Sequence, residues 1–101
     1  MNSTESKLEE NAKEVAQVLK LLSNHQRLLV LCCISEGEMT VGQLNQSVDL
    51  SQSALSQHLA KLRNSELVAT RRVSQTIYYR IKDPKIATLL KFLQDNFCPD
   101  I

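Results

Sequence analysis

Glycine is scarce in this chain, with two among 101 residues, so no glycine-rich loop is available to cradle a phosphate. No nucleophile stands beside a partnering base in a recognisable pattern, and an enzyme is not expected. Long apolar runs are missing too: nothing approaches the roughly 18 residues of a membrane span. The N-terminal stretch MNSTESKLEENAKEV is polar and acidic and does not read as a secretory signal. The expected compartment is therefore the cytoplasm, with no membrane partner. There is no internal repeat and no low-complexity segment. Cysteine is sparse and odd in number, three in all, which excludes a secreted disulfide framework. A chain of this length makes one small domain with a modest core, and oligomerisation would help it.

Charge is present in both signs but unevenly placed. The net charge is +1. Residues 51–82 carry six basic side chains against Glu66 alone, a balance of +5, while the rest carries six basic and ten acidic, a balance of −4. Phosphate binding would require such a basic half, because neutralising phosphates and releasing counterions supplies most non-specific DNA affinity.

Apolar periodicity organises the chain into five helices and a hairpin. Residues 1–7 read as a disordered segment, and residues 8–101 as the folded domain. Leu8, Ala12, Val15, Leu19 and Leu22 recur at helical spacing and define an amphipathic first helix. SNHQ, residues 23–26, reads as a capping box with Ser23 as the cap. The second helix runs to about Ser35, and its centre, Leu28 to Ile34, is apolar at every position, so it should run through the core. TVGQ, residues 40–43, is a second capping box that opens a short third helix with Val41, Leu44 and Val48 inward. Ser51 caps a fourth helix whose Leu55, Leu59 and Leu62 form one stripe. LVATRRVSQTIYYRI, residues 67–81, reads as a β-hairpin broken at Ser74–Gln75. The break lacks glycine, so a turn longer than two residues is expected. Asp83 and Pro84 start a fifth helix with Ile86, Leu89, Leu90, Leu93 and Phe97 on its apolar face. The order is ααααββα, a mainly α (α+β) winged helix-turn-helix.

A short helix, a four- or five-residue turn and a helix with a small polar outer face match helix-turn-helix arithmetic. Gln52, Ser53, Ser56 and Gln57 fall together on that outer face. Glutamine bonds adenine bidentately and serine bonds bases or phosphate. Lys61 and Arg63 lie further along, suited to the DNA backbone. The hairpin offers Arg71, Arg72 and Arg80 for phosphate or minor-groove contact. A merely solvated face is the alternative, but the basic charge coincides with the elements that would use it. His58 lies between Leu55 and Leu62 on the inner side, where a structural, hydrogen-bonded imidazole is expected. His25 opens the second helix, with no second histidine at ligand spacing, and reads as a cap or surface residue.

The stretches LKLLSNHQRLLVLCCISEGEMTVGQL, LSQSALSQHLAKLRNSELVATRR and TIYYRI together resemble the ArsR/SmtB family of winged-helix repressors. The resemblance covers about residues 8–98. It implies a homodimer through the first and fifth helices that reads an inverted-repeat operator in double-stranded DNA. One departure is visible. The family usually has His-Pro-x-Arg at the start of the second helix, where this chain has His25-Gln26-Arg27. No functional consequence is expected of it.

LLVLCCISEGE, residues 28–38, places Cys32 and Cys33 side by side. Metal-sensing members of the family carry a Cys-x-Cys-type motif on the third helix or an Asp/His set on the fifth. Here the third helix has neither Cys nor His, and the fifth has Asp83, Asp95 and Cys98 but no His. Three thiolates can in principle hold a soft ion. However, adjacent residues point about 100° apart on a helix, which should prevent Cys32 and Cys33 from both facing Cys98. RLLVLC and NFC instead resemble the BigR/SqrR/HlyU-like subgroup, which senses reactive sulfur and oxidants. That resemblance implies that Cys32 and Cys98 are the redox-sensing pair and that Cys33 packs. No cofactor or resident metal is expected. Leu31, Ile34 and Phe97 should make the site apolar and raise the thiol pKa. A metal-responsive repressor and a redox-blind regulator remain the alternatives.

Overall fold

A computed structural model describes residues 3–98 of the chain. The elements are α1 (Ser3–Leu22), α2 (His25–Ile34), β1 (Met39–Thr40), α3 (Val41–Ser47), α4 (Gln52–Asn64), β2 (Val68–Val73), β3 (Thr76–Ile81) and α5 (Pro84–Phe97). The five helices and the hairpin follow the expected order. The structure adds β1, which pairs antiparallel with β3 to make a sheet of order β1-β3-β2. Two residues are too few to show a period-two pattern, so this strand exists only through its partner. The expected disordered segment, residues 1–7, is helical from Ser3 onward, and residues 1 and 2 lie outside the described residues.

The core is built where α2, α3, α4, β2 and α5 meet. Val30, Leu31 and Ile34 come from α2, Leu44 from α3, Leu55, Leu59 and Leu62 from α4, Val68 from β2, and Ile86 and Leu90 from α5. The three α4 leucines are all buried, as their spacing predicts. The all-apolar centre of α2 is only partly internal: Cys32 and Cys33 are half-buried and Leu29 is exposed. Two faces of α2 pack and the remaining one opens beside α5. From α1, Leu22 is the one fully buried residue among those described, with Val18 and Leu21 packing against the core.

Local chemistry sets most helix ends. Thr40 and Gln43 form the full reciprocal capping box: Gln43 N–H donates to Thr40 Oγ1 (3.1 Å) and Thr40 N–H donates to Gln43 Oε1 (2.9 Å). Ser51 Oγ accepts from Ala54 N–H, and Asp83 Oδ1 accepts from Lys85 N–H with Pro84 in the first turn. The cap of α2 is one residue later than expected. Asn24 Oδ1 accepts from both Gln26 and Arg27 N–H at 3.0 Å, while Ser23 Oγ turns back to donate to the Lys20 carbonyl at the end of α1. An asparagine that satisfies two orphan donors at once displaces the serine, which serves the preceding helix instead.

Among the described residues, two positions carry positive φ without glycine, Glu66 and Ser74. Glu66 N–H donates to the Arg63 carbonyl and Leu67 N–H to the Leu62 carbonyl, the two bonds of a Schellman motif that stops α4. Leu67 and Leu62 are both buried, and their packing holds the left-handed residue in place. The hairpin turn is shorter than expected. Val73 pairs with Thr76, leaving only Ser74 and Gln75 between the strands. Ser74 takes the left-handed conformation, φ 56°, that glycine usually fills. Its cost of about 1–2 kcal/mol is borne by a ladder of six residue pairs.

Candidate nucleic-acid interface and thiol groove

The turn between α3 and α4 holds four residues, Val48 to Ser51, and sets the two helices as a helix-turn-helix. With Leu55, Leu59 and Leu62 turned into the core, α4 must present its opposite side to solvent. Gln52, Ser53, Ser56 and Gln57 are all exposed there, and Lys61 and Arg63 extend the same open surface. His58 is half-buried at the edge of α4. Its Nε2 lies 3.2 Å from Gln26 Oε1 at the start of α2. Burial lowers the His58 pKa below its ordinary value, and the positive charges of Arg27 and Lys61 lower it further. The imidazole is thus the hydrogen-bonded structural group the sequence suggested. Gln26, which departs from the family pattern, is its partner, so the departure has a structural consequence.

The three hairpin arginines are not equivalent. The strand register places Arg71 opposite Tyr78 and Ala69 opposite Arg80, on the face away from the core. Arg72 lies opposite Ile77 on the other face, near the turn. Arg71 is held by Glu38, which immediately precedes β1: Nε donates to Oε2 at 3.2 Å and Nη2 donates to Oε1. The guanidinium also stacks over the Tyr78 ring, 4.6 Å from its centroid. The Arg71 hydrogen bond keeps the Glu38 carboxyl below the usual carboxylate range, and the charges of Arg71 and Arg80 act in the same direction. Among the described residues, Lys61, Arg63, Arg72 and Arg80 make no ion pair.

A groove between α2 and α5 brings the cysteines together. Its walls include His25, Leu28, Leu29 and Ala87, and Cys32, Cys33 and Cys98 all border it. All three are free thiols; Cys98 is exposed at the C-terminal cap of α5. The divergence of neighbouring helical residues does not keep Cys33 out, because the groove is broad enough to meet both. The two α2 thiols still differ. Burial raises the Cys32 pKa, and negative charge at Cys33 or Cys98 raises it further, while the Gln94 side chain pulls it down. Cys33 is raised by burial alone. The apolar lining is not the expected one: Leu31 and Ile34 lie in the core, and Phe97 is largely exposed and does not border the groove. A polar brace closes one end, where Gln94 Nε2 donates to Ser35 Oγ (3.2 Å) and Ser35 Oγ donates to the Cys32 carbonyl (2.7 Å).

A family profile described as bacterial regulatory protein, arsR family, matches residues 24–70, the span from the α2 cap into β2. The transcriptional activator HlyU of Vibrio cholerae is 38% identical over 90% of this chain and 84% of its own length. The chain belongs to the arsR family of bacterial regulatory proteins. It is thus a DNA-binding transcriptional regulator and not an enzyme. The biofilm growth-associated repressor of Xylella fastidiosa is a second relative, 43% identical over 94% of this chain and 83% of its own. The structure of reduced HlyU from Vibrio cholerae superposes with a TM-score of 0.86, covering 91% of this chain and 97% of that one at 38% identity. The fold is therefore shared along almost the whole chain. Among the described residues, no helix is long and apolar enough to cross a membrane.

Sequence reasoning missed Gln94, Ser35, Glu38 and the role of Gln26. Gln94 had a signal, since it stands four residues before Cys98 on one helix face. The Gln94–Ser35 and Arg71–Glu38 contacts had none, because their partners stand 59 and 33 residues apart.

Proposed function

We propose that the chain is a homodimeric, cytoplasmic repressor that holds an inverted-repeat operator while reduced and releases it when Cys32 and Cys98 are bridged by reactive sulfur or oxidant. The observation that carries this reading is the shared groove between α2 and α5, which Cys32 and Cys98 both border. The Vibrio relative was solved in a form named by its redox state, as reduced HlyU. The relatives' names include both an activator and a repressor; the exposed reading helix suits the simpler act of blocking a promoter.

Gln52, Ser53, Ser56 and Gln57 read base edges in the major groove. Lys61, Arg63, Arg72 and Arg80 neutralise phosphates, with Arg71 the remaining basic group of the wing. The exposed apolar residues of α1 and α5 pair two copies, setting two reading helices about 34 Å apart. With a persulfide donor, each thiolate takes one sulfane sulfur and the donor leaves as a thiol. The Cys98 persulfide then attacks the inner sulfur of the Cys32 persulfide and expels hydrosulfide, leaving a three-sulfur bridge. With peroxide, one thiolate becomes a sulfenic acid and releases hydroxide; the second thiolate then displaces the sulfenic oxygen, which leaves as hydroxide and takes a proton from solvent to become water. Either bridge ties α5 to α2 and shifts the dimer helix relative to the reading head.

The test is the affinity of the reduced protein for its own upstream DNA, before and after a persulfide donor, with intact mass taken on the same sample. A large loss of affinity with a mass matching a Cys32–Cys98 bridge supports the switch. Unchanged affinity at full modification rejects it.

A further inference from the structure

The wing holds a basic residue that is already occupied. An arginine fork binds carboxylate and phosphate through the same two parallel hydrogen bonds. At Arg71 both are made to the two oxygens of Glu38, and stacking on Tyr78 holds the guanidinium plane. The placement follows from the sheet register. Met39 faces Tyr79 and Thr40 faces Tyr78, so Glu38, one residue before β1, falls on the outer face with Tyr78, Arg80 and Arg71. Without the pairing of β1 to β3, a carboxylate 33 residues away would not meet this arginine.

We propose that Glu38 withholds Arg71 from DNA: its carboxylate occupies the fork that a phosphate would take, and so limits the sequence-independent affinity of the wing. This rests on the DNA-binding reading of the chain. The pair is solvent-exposed, so it adds little to folding stability. Its consequence lies in recognition. Phosphate contacts raise affinity for every sequence alike, and a regulator must find its site among a large excess of competing DNA. A carboxylate that neutralises one arginine lowers non-specific binding and leaves the base contacts of α4 untouched. Arg72, without an ion-pair partner among the described residues, then carries more of the wing's phosphate contact.

The experiment measures binding of the reduced full chain to a short duplex of scrambled sequence across a salt series. Wild type, Glu38→Gln, Arg71→Gln and the double variant are compared, with thermal melting to verify that each is folded. Glu38→Gln is expected to bind more tightly and to steepen the log-affinity against log-salt slope by about 0.9, the increment of one phosphate contact. Arg71→Gln alone should leave the slope unchanged, and the double variant should return to it. Flattening by Arg71→Gln alone would mean that Arg71 already sits on phosphate, and overturns the proposal. Equal steepening by Glu38→Gln with and without Arg71 would reduce the effect to general repulsion, and also overturns it, as does no effect at all. A wild-type chain without salt-dependent duplex binding would instead overturn the DNA-binding reading beneath it.

Discussion

The reading head and the outer helices treat their apolar residues in opposite ways. In the head, Leu44, Leu55, Leu59 and Leu62 are at most 1% exposed, and none of their stripe is left over. On the outer helices, Leu8, Val15 and Leu19 of α1 are 69%, 55% and 52% exposed, and Phe92 and Phe97 of α5 are 58% and 77% exposed. Both regions are equally periodic in sequence. The head closes on itself because α4 lies between α3, β2 and α2, while α1 meets the rest mainly through its last turn. An amphipathic helix shows which of its faces avoids water, but the tertiary neighbours decide whether one chain can cover it. The open faces of α1 and α5 are what a second copy would cover, in keeping with the proposed dimer.

This contrast can be broken from either side. The largest effect is expected in the head. Leu59→Ala should cost about 2–5 kcal/mol, because it opens a cavity in a closed core; chemical denaturation reads it directly, and a loss well under 1 kcal/mol would mean that the head repacks. On the outer helices, Val15→Glu should spare the protomer's helix content and weaken self-association by more than about tenfold, since a carboxylate would be buried without a partner. Sedimentation and circular dichroism on one sample separate the two outcomes, and an unaltered dimer would place the interface elsewhere. The smallest effect concerns the seam between α4 and α2. Folding holds the His58 pKa below the ordinary 6.5, so the unfolded chain binds this proton more readily. Stability should therefore be full above that value and decline as pH falls beneath it. His58→Gln should flatten this acid slope in a melting-temperature series; a slope that persists unchanged would assign it to other groups.

The legible parts of the sequence are those governed within one or two turns. The Thr40–Gln43 box, the Ser51 and Asp83 caps and the leucine stripe of α4 each depend on residues two to four apart, and all are found where the spacing puts them. Local rules still compete. Ser23 and Asn24 both suit a cap, and the asparagine prevails because it reaches two backbone donors. The two-residue turn at Ser74–Gln75 runs against glycine preference because a long ladder outweighs one strained residue. The site was half legible. The polar outer face of α4 was readable from periodicity, while the family resemblance implied a Cys32–Cys98 pair and the groove is bordered by Cys33 as well. The clamp on Arg71, the admission of Cys33 to the groove and the Gln94–Ser35 brace were not.

By itself the sequence determined the helices, their caps, the stripe that turns α4's polar face outward and the basic character of residues 51–82. Each follows from short-range hydrogen bonding, periodicity or summed charge, which need no knowledge of distant neighbours. Only the tertiary structure decided which arginine is free, which thiols share a groove and which apolar faces remain open. Those outcomes join residues far apart in the chain, such as Arg71 with Glu38 at 33 positions, His58 with Gln26 at 32 and Gln94 with Ser35 at 59. Such pairs form only after the core and the sheet register have set where each backbone runs.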